Sequence, residues 1–247
     1  MTADPFHHHP GLRDKIKPFH ASFFRTMTVQ RIREVMAERN LPVTFPFYAD
    51  AEREALRAEM LATHDAGDLL VFAYGSLLWD PALDFAEVRR AHAPGHARAF
   101  ILVDVHGGRG TAEAPGLMAA LDEGAGCDGL VFRIGAEKVE AETEILFRRE
   151  MIGPGYHARF VPVLVDGQET RALTFLADHD DPAMQPDITR AEQLRYLATG
   201  AGFMGTSHEY LKNVVDHLHD MAIPDPDLDA LLADTETEMA RLAQDRG

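Results

Sequence analysis

Cysteine is almost absent from this sequence, because Cys127 is the single one among 247 residues. One thiol cannot form a disulfide within the chain, which predicts a reducing compartment. Cys127 stands at the start of a short apolar run, where a small buried residue is a better prediction than a nucleophile.

Long hydrophobic runs are also missing. No segment approaches the roughly 20 apolar residues that span a bilayer. The first residues lack the basic start and apolar stretch of a secretory signal. We therefore expect a cytoplasmic protein with no membrane partner.

Basic residues are in deficit, with 24 lysines and arginines against 40 acidic residues and a formal net charge of −16. A surface this acidic repels phosphate backbones, so nucleic acid is not expected as a partner. A small anionic ligand is repelled at long range as well, so its site needs a local cationic or amide-lined pocket.

Complete metal-binding and nucleophile motifs are absent. The histidines at positions 7–9 are adjacent near a chain terminus, where side chains converge poorly on one ion, and we expect a mobile surface segment there. His208 and Glu209 begin like a zinc-protease helix, but Lys212 occupies the place of the second histidine. The Gly-x-Ser-x-Gly signature of serine hydrolases is not found. We therefore expect no metal site.

Hydrophobic spacing predicts two regions. Residues 1–66 are predicted to be an N-terminal helical extension, with one amphipathic helix near 29–36 and a second over 51–64 that has Asp50 as its N-cap. Residues 67–247 are predicted to be a domain of strands followed by helices, which indicates an α+β fold with a mixed or antiparallel sheet curled into a barrel. The predicted strands are 69–73, 97–103, 117–121, 130–134, 160–165 and 171–176, and the predicted helices are 136–151, 189–198, 206–221 and 228–243.

The turn Tyr74-Gly75-Ser76-Leu77 directly follows the first predicted strand. Glycine after a buried strand allows backbone torsions that other residues resist. Successive N–H groups can then face a carboxylate above the strand end, and Ser76 adds a hydroxyl group. A purely structural turn explains the same motif when it is taken alone.

A glycine-rich loop over residues 107–116 carries a single guanidinium, that of Arg109. The loop lacks the Gly-Lys-Ser/Thr of a P-loop, and its spacing does not fit a dinucleotide fingerprint. The planar fork of Arg109 can bind a carboxylate through two hydrogen bonds. A solvated loop arginine explains the residue equally well.

Glu150 is predicted to lie in the last turn of a helix, because Gly153 and Pro154 follow it. The negative end of the helix dipole disfavours a carboxylate there, and burial would raise its pKa further. A glutamate that titrates nearer neutrality suits general acid–base catalysis, although Arg148 and Arg149 could oppose the shift. The alternative is a surface glutamate, which is what we expect of four others in this helix: Glu137, Glu140, Glu142 and Glu144.

Taken in order, four segments of the chain resemble the ChaC branch of the gamma-glutamyl cyclotransferase superfamily. They are similar to that family's YGSL loop, HRGTPEAPG stretch, RE…GY element and EYL…HL…I.D pattern, and they lie at residues 74–77, 109–116, 149–156 and 209–225. The resemblance covers about residues 68–232. Gly108 and Ala112 stand where the family often has histidine and proline.

The resemblance implies an enzyme that acts on a gamma-glutamyl peptide, with glutathione favoured, and releases 5-oxoproline and cysteinylglycine. Glu150 would be the catalytic residue, moving one proton while the substrate α-amine attacks the γ-carbonyl. No metal or organic cofactor is implied. The implied substrate-contacting residues are Tyr74, Gly75, Ser76, Leu77, Arg109 and Tyr156.

Two alternatives stay open from the sequence. One is the same ring closure on other gamma-glutamyl amino acids or amines. The other is a non-catalytic regulator of cation transport, although the chain has no basic amphipathic anchor for a membrane surface. The sequence does not determine the oligomeric state.

Overall fold

The computed structural model describes residues 4–40 and 43–245. The chain folds into two compact units. One contains the chain up to Arg31 together with residues 46–98 and 121–177, and the other contains residues 32–45, 99–120 and the chain from Asp178 onward.

The strands of the described residues are β1 (Leu69–Ala73), β2 (Glu87–Ala93), β3 (His96–His106), β4 (Thr111–Glu123), β5 (Cys127–Ile134), β6 (Tyr156–Val165), β7 (Gln168–Ala177), β8 (Ala201–Gly202) and β9 (Gly205–Thr206). The α-helices are α1 (Val29–Glu38), α2 (Asp50–Leu61), α3 (Val139–Glu150), α4 (Arg190–Thr199), α5 (Ser207–Asp220) and α6 (Pro226–Gln244).

Five strands of the first unit close into a barrel in the order β1-β5-β2-β6-β7, and β7 pairs back with β1. Neighbouring strands along this order are antiparallel. The junction that closes the barrel is parallel and pairs Val71 with Leu173. The predicted α+β class, with a mixed barrel and flanking helices, is therefore confirmed.

The core of the first unit follows from the alternation of side chains along its strands. In β6, Val161 and Val163 are buried whereas Pro162 between them is exposed. Phe72 of β1 and Cys127 of β5 belong to the same buried cluster. Each fully buried valine or phenylalanine contributes about 1.5–3 kcal/mol. The prediction that Cys127 is a buried structural residue is confirmed.

Strand β2 was not predicted from the sequence. Its buried residues are Val88, Ala91 and Ala93, so only one buried side chain is larger than a methyl group. Between them Arg89 forms an ion pair with Glu87 at 3.1 Å. A strand with so little apolar surface gives a weak hydrophobic pattern. Its pairing with β5 and β6 stabilises the strand more than its own β-propensity does.

The second helix of the N-terminal region begins one residue earlier than predicted. Ala49 is the N-cap of α2 and Asp50 is already helical, so the predicted N-cap at Asp50 is wrong. The Asp50 carboxylate accepts a hydrogen bond from Arg53 one turn later instead. A side chain used in this way is not available to cap the backbone N–H groups.

In the second unit, α4, α5 and α6 pack against one another. Helices α4 and α5 each begin with a capping box, formed by Thr189 with Glu192 and by Thr206 with Glu209. The reciprocal hydrogen bonds of a capping box satisfy backbone N–H groups that a helix start otherwise leaves open. None of the described helices is long and apolar enough to cross a membrane.

Helix α3 of the first unit has a charged residue on its buried side. Glu142 is only 2% exposed, which corrects the prediction that it is a surface glutamate. Its carboxylate accepts hydrogen bonds from both terminal nitrogens of Arg25 and from the backbone N–H of Asp84 at 3.0 Å. A carboxylate can be buried here because its charge and its oxygens are compensated.

Replacing Arg25 by methionine should lower the free energy of unfolding by about 3 kcal/mol, because the Glu142 carboxylate then stays buried without its charge partner. Urea unfolding measures the loss. The matched control is Arg13→Met, which removes an exposed pair with Asp4 and should cost less than about 1 kcal/mol. Equal losses in the two variants would contradict the assigned role of Arg25.

Candidate active site

Helix α3 ends at Glu150, with Met151 as its C-cap, so the predicted place of Glu150 in the last turn is confirmed. The backbone N–H of Met151 donates to the carbonyl of Phe147 at 2.9 Å and completes the turn. The side chains of Phe147 and Met151 are both buried. Glu150 thus directly precedes the buried Met151, and 19% of its side-chain surface is exposed.

Arg149 connects Glu150 to the turn that follows β1. Its side chain is 3% exposed, and its Nε lies 2.7 Å from Oε1 of Glu150. Its Nη2 donates to the hydroxyl of Ser76 at 2.8 Å, and its Nη1 donates to the backbone carbonyl of Asp80. One guanidinium thus holds the helix end, the predicted serine and the loop beyond it in a fixed arrangement.

Two opposing effects act on the Glu150 carboxyl group. Burial is the larger and raises its pKa above the ordinary value of 4.5, whereas the charge and hydrogen bond of Arg149 lower it. The raised pKa was predicted from the helix end and from burial. A carboxyl group that gains and loses a proton nearer neutrality is suited to general acid–base catalysis.

Tyr74 sits at the end of β1 with its side chain buried. Its hydroxyl donates to the carbonyl of Phe175 in β7 at 3.1 Å, and its own carbonyl accepts from Nε of Arg98. These contacts anchor the start of the turn to the barrel. Gly75 follows with φ −120°, so a left-handed backbone is not what requires glycine here.

A short 3-10 helix spans Ser76–Leu78. The carbonyl of Gly75 accepts from the N–H of Leu78, and the carbonyl of Ser76 accepts from the N–H of Asp80. The first N–H groups of any helix have no partner inside it. Among the described residues, the N–H groups of Gly75, Ser76 and Leu77 have no acceptor outside it either, so they offer donors for a carboxylate.

Tyr156 begins β6 directly after Gly155, which has a φ of 116°, a conformation that favours glycine. Tyr156 is half-buried and pairs with Ala177 of β7. The turn between Glu150 and Tyr156 is thus short and fixed at both ends, by the helix and by the strand.

Arg109 belongs to the second unit. Its backbone N–H donates to the Asp104 carboxylate, its Nη1 donates weakly to the carbonyl of Thr206 at 3.3 Å, and its guanidinium lies 5.3 Å from the ring centre of Tyr210. Burial lowers the pKa of Arg109 below its ordinary value, and its Nε is buried without a hydrogen-bond partner among the described residues. Arg109 is therefore a desolvated cation and not a solvated loop arginine.

Of the histidines at positions 7–9, the first two are exposed, as expected of a surface segment, but the run has contacts within the first unit. His8 lies 3.1 Å from Glu87, and His9 accepts from the backbone N–H of Arg90. Ligand atoms of His7, His8 and Glu87 lie within 4.8 Å of one another. Arg89, however, donates to both His8 and Glu87 at 3.1 Å, and a guanidinium in that place repels a metal ion.

A model of the family described as "ChaC-like protein" matches residues 69–239. The chain belongs to the ChaC-like family. The match begins at the first residue of β1 and continues into α6, so it contains Glu150 and the turn after β1.

Curated relatives of this ChaC-like chain are named as enzymes. The "Glutathione-specific gamma-glutamylcyclotransferase" of Escherichia coli K12 is 35% identical over 194 residues, which are 78% of this chain and 83% of the relative. The protein of the same name from Schizosaccharomyces pombe is 30% identical over 59% of this chain and 80% of its own.

A crystal structure titled as a glutathione-specific gamma-glutamyl cyclotransferase from yeast has the same fold. It superposes with a TM-score of 0.63 at 22% identity, covering 69% of this chain and 96% of that one. Almost the whole yeast chain thus has a counterpart in this ChaC-like chain. About a third of this chain has no counterpart in the yeast structure.

Two residues that organise the ChaC-like site were not among those predicted. Arg149 was recognised only as a neighbour of unknown direction, although it lies seven residues, two helical turns, after the buried Glu142 and therefore on the same face. Asp80 follows the turn after β1, where its carbonyl accepts from Arg149. Its buried carboxylate pairs with Lys17 at 2.6 Å. Nothing in the sequence near Asp80 indicates the contact with Lys17.

The raised pKa of Glu150 has a measurable effect on stability. The folded protein holds this proton to higher pH than the unfolded chain, so the contribution of Glu150 to the free energy of unfolding falls as pH rises above about 4.5. Glu150→Gln cannot ionise and lacks this contribution. We expect the stability of the variant minus that of the wild type to increase with pH, measured by urea unfolding between about pH 4.5 and 7.

The control for this measurement is Glu54→Gln. A hydrogen bond from Arg57 lowers the pKa of Glu54, so the corresponding difference should decrease with pH mainly below about 4.5 and become level above it. A level difference for Glu150→Gln above about pH 4.5, like that of Glu54→Gln, would show that Glu150 is not desolvated in the folded protein.

Proposed function

We propose that this chain is a gamma-glutamylcyclotransferase that acts on glutathione, with Glu150 as its general acid and base. The observation that carries the proposal is a desolvated glutamate fixed by Arg149 beside the amide-rich turn after β1. The names and coverage of the curated relatives support the substrate class.

The proposed reaction needs one proton carrier. The Glu150 carboxylate accepts a proton from the α-ammonium of the substrate, and the freed amine attacks the γ-carbonyl carbon of the same molecule. A new C–N bond closes the five-membered ring, and the bond from that carbon to the cysteine nitrogen breaks. The carboxyl group of Glu150 returns its proton to this leaving nitrogen. The ring nitrogen then gives up a second proton to become an amide, and Glu150 passes this proton to the released amino group in the same way. The products are 5-oxoproline and cysteinylglycine with its ammonium group, and all atoms and protons balance.

The two effects on the pKa of Glu150 support both halves of this cycle. Desolvation makes the carboxylate a stronger base, so it can take a proton from an ammonium group. Arg149 limits the rise of this pKa, so that the protonated carboxyl group of Glu150 can release the proton again within one turnover. The nucleophile and the electrophile belong to one substrate molecule. Holding that molecule in its folded conformer supplies the rest of the rate acceleration.

Recognition of the substrate is proposed to rest on the turn after β1. The open N–H groups of Gly75, Ser76 and Leu77 are donors suited to the glutamyl carboxylate, with Tyr74 anchoring the turn. Such amide donors meet the need for a local anion site in a chain of net charge −16. Tyr156 and Arg109 are further proposed contacts, and the desolvated guanidinium of Arg109 suits a second carboxylate.

The remaining features of the proposal follow from the same reaction. A small molecule is the partner, and neither nucleic acid nor a membrane is required. The single cysteine supports a cytoplasmic location. We also propose that the reaction belongs to residues 67–247 and that residues 1–66 are an extension of that domain.

Glu150→Gln should lower the release of 5-oxoproline from glutathione by at least about 100-fold, because it keeps the shape of the side chain and removes the proton carrier. Mass spectrometry of 5-oxoproline and cysteinylglycine measures the rate. Glu144→Gln, an exposed residue of the same helix, should keep the wild-type rate. A folded Glu150→Gln protein with near-normal turnover would remove Glu150 from the reaction. Faster turnover of gamma-glutamylalanine than of glutathione by the wild type would instead change the assigned substrate.

A further inference from the structure

The guanidinium of Arg149 has a neighbour that comes from the N-terminal region of the chain. The N–H groups that it directs to Glu150, Ser76 and Asp80 lie in the plane of the guanidinium, because the group is planar. One face of that plane is covered by the ring of Phe24, whose centre is 4.1 Å from the central carbon of Arg149. This distance is within the range of a cation–π contact.

Phe24 is held in place by its own neighbours in the chain. It lies in a short 3-10 helix, Phe23–Arg25, and its backbone N–H donates to the hydroxyl of the buried Ser22 at 3.2 Å. Arg25 on its other side binds the Glu142 carboxylate of α3 with two nitrogens.

The carbonyl of Arg25 closes a second link to the same helix. It accepts a hydrogen bond from Nη2 of Arg148 at 3.1 Å. The segment that carries Phe24 is therefore attached to α3 one residue away from the ring, and the ring has little freedom to leave the guanidinium.

A further contact of this region reaches the loop after β1. The backbone N–H of Lys17 donates to the carbonyl of Trp79 at 2.7 Å, and its ammonium group pairs with the buried carboxylate of Asp80. Residues 17–25 thus contact both structures that Arg149 joins, the end of α3 and the loop after β1.

We propose that Phe24 is a positioning residue of the active site, whose ring holds the Arg149 guanidinium in the plane in which it contacts Glu150 and Ser76. The ring excludes water from one face of the guanidinium and prevents the group from rotating out of that plane. The proton carrier and the amide-rich turn thereby keep their relative geometry. The role of Phe24 in turnover rests on the proposed function, whereas its role in holding Arg149 does not.

The family model begins at residue 69, so Phe24 lies outside the segment by which the family is recognised. Its role therefore does not follow from membership of the family. The N-terminal region of this chain thus supplies a part of the proposed site from outside the segment that the family model matches.

The decisive comparison is between Phe24→Leu and Phe24→Tyr in the full-length chain. Leucine keeps an apolar side chain and removes the π face, whereas tyrosine keeps the ring. We expect Phe24→Leu to lower kcat for 5-oxoproline release about tenfold, with KM changed by less than about twofold, and Phe24→Tyr to stay near the wild type. Phe23→Leu is the matched control, because Phe23 is the adjacent residue of the same type and is 52% exposed.

A second measurement separates this inference from the proposed function. The Nε–H resonance of Arg149, assigned by its loss in Arg149→Lys, reports the contact directly in a proton–nitrogen NMR spectrum. In Phe24→Leu it should shift and exchange faster with water, and in Phe23→Leu it should do neither. An unchanged resonance, or unchanged kcat in Phe24→Leu, overturns the role of Phe24. If the wild type releases no 5-oxoproline, the proposed function fails, and the resonance alone then decides whether Phe24 holds Arg149.

Discussion

The buried guanidinium of Arg149 is the constraint on which the site depends. Burying a cation costs free energy unless a charge partner and hydrogen-bond acceptors compensate for the lost water. The chain meets this requirement with a carboxylate, a hydroxyl and a backbone carbonyl, from Glu150, Ser76 and Asp80. Satisfying one charge therefore fixes the end of α3 relative to the loop after β1. The barrel provides the frame, since the turn with Ser76 leaves β1 and the loop after Glu150 leads into β6.

The same interaction explains why Glu150 differs from the other glutamates of α3. Glu142, also buried, has two nitrogens of Arg25 and a backbone N–H on its carboxylate, so its negative charge is well compensated. Glu150 has one contact, with Arg149. The effect of burial, which raises the pKa of Glu150, is larger than the opposite effect of this contact. Two acidic residues of one helix thus differ in how well their charge is compensated, according to the number of donors that each receives.

Much of this arrangement was predictable, because its signals are local. An apolar run that ends in Tyr74-Gly75 indicates a strand and its turn, and Gly153 and Pro154 indicate where α3 stops. What the sequence could not give depends on distant partners. The direction of Arg149 is settled by acceptors in the loop after β1, and the burial of Glu142 is settled by Arg25. Strand β2 was missed because its buried side chains are mostly alanine, which gives a weak hydrophobic pattern. Pairing with the neighbouring strands makes this segment a strand.

The parallel junction that closes the barrel affects the order in which the barrel forms during synthesis of the chain. It joins β1, the first barrel strand, to β7, the last, through Val71 and Leu173, about a hundred residues apart. Contacts so distant in sequence form late, since the intervening loop must be closed first. On the ribosome β1 waits with one edge unpaired until β7 has emerged. A nascent chain therefore carries the turn after β1, with its open N–H groups, before it has a closed barrel to support it.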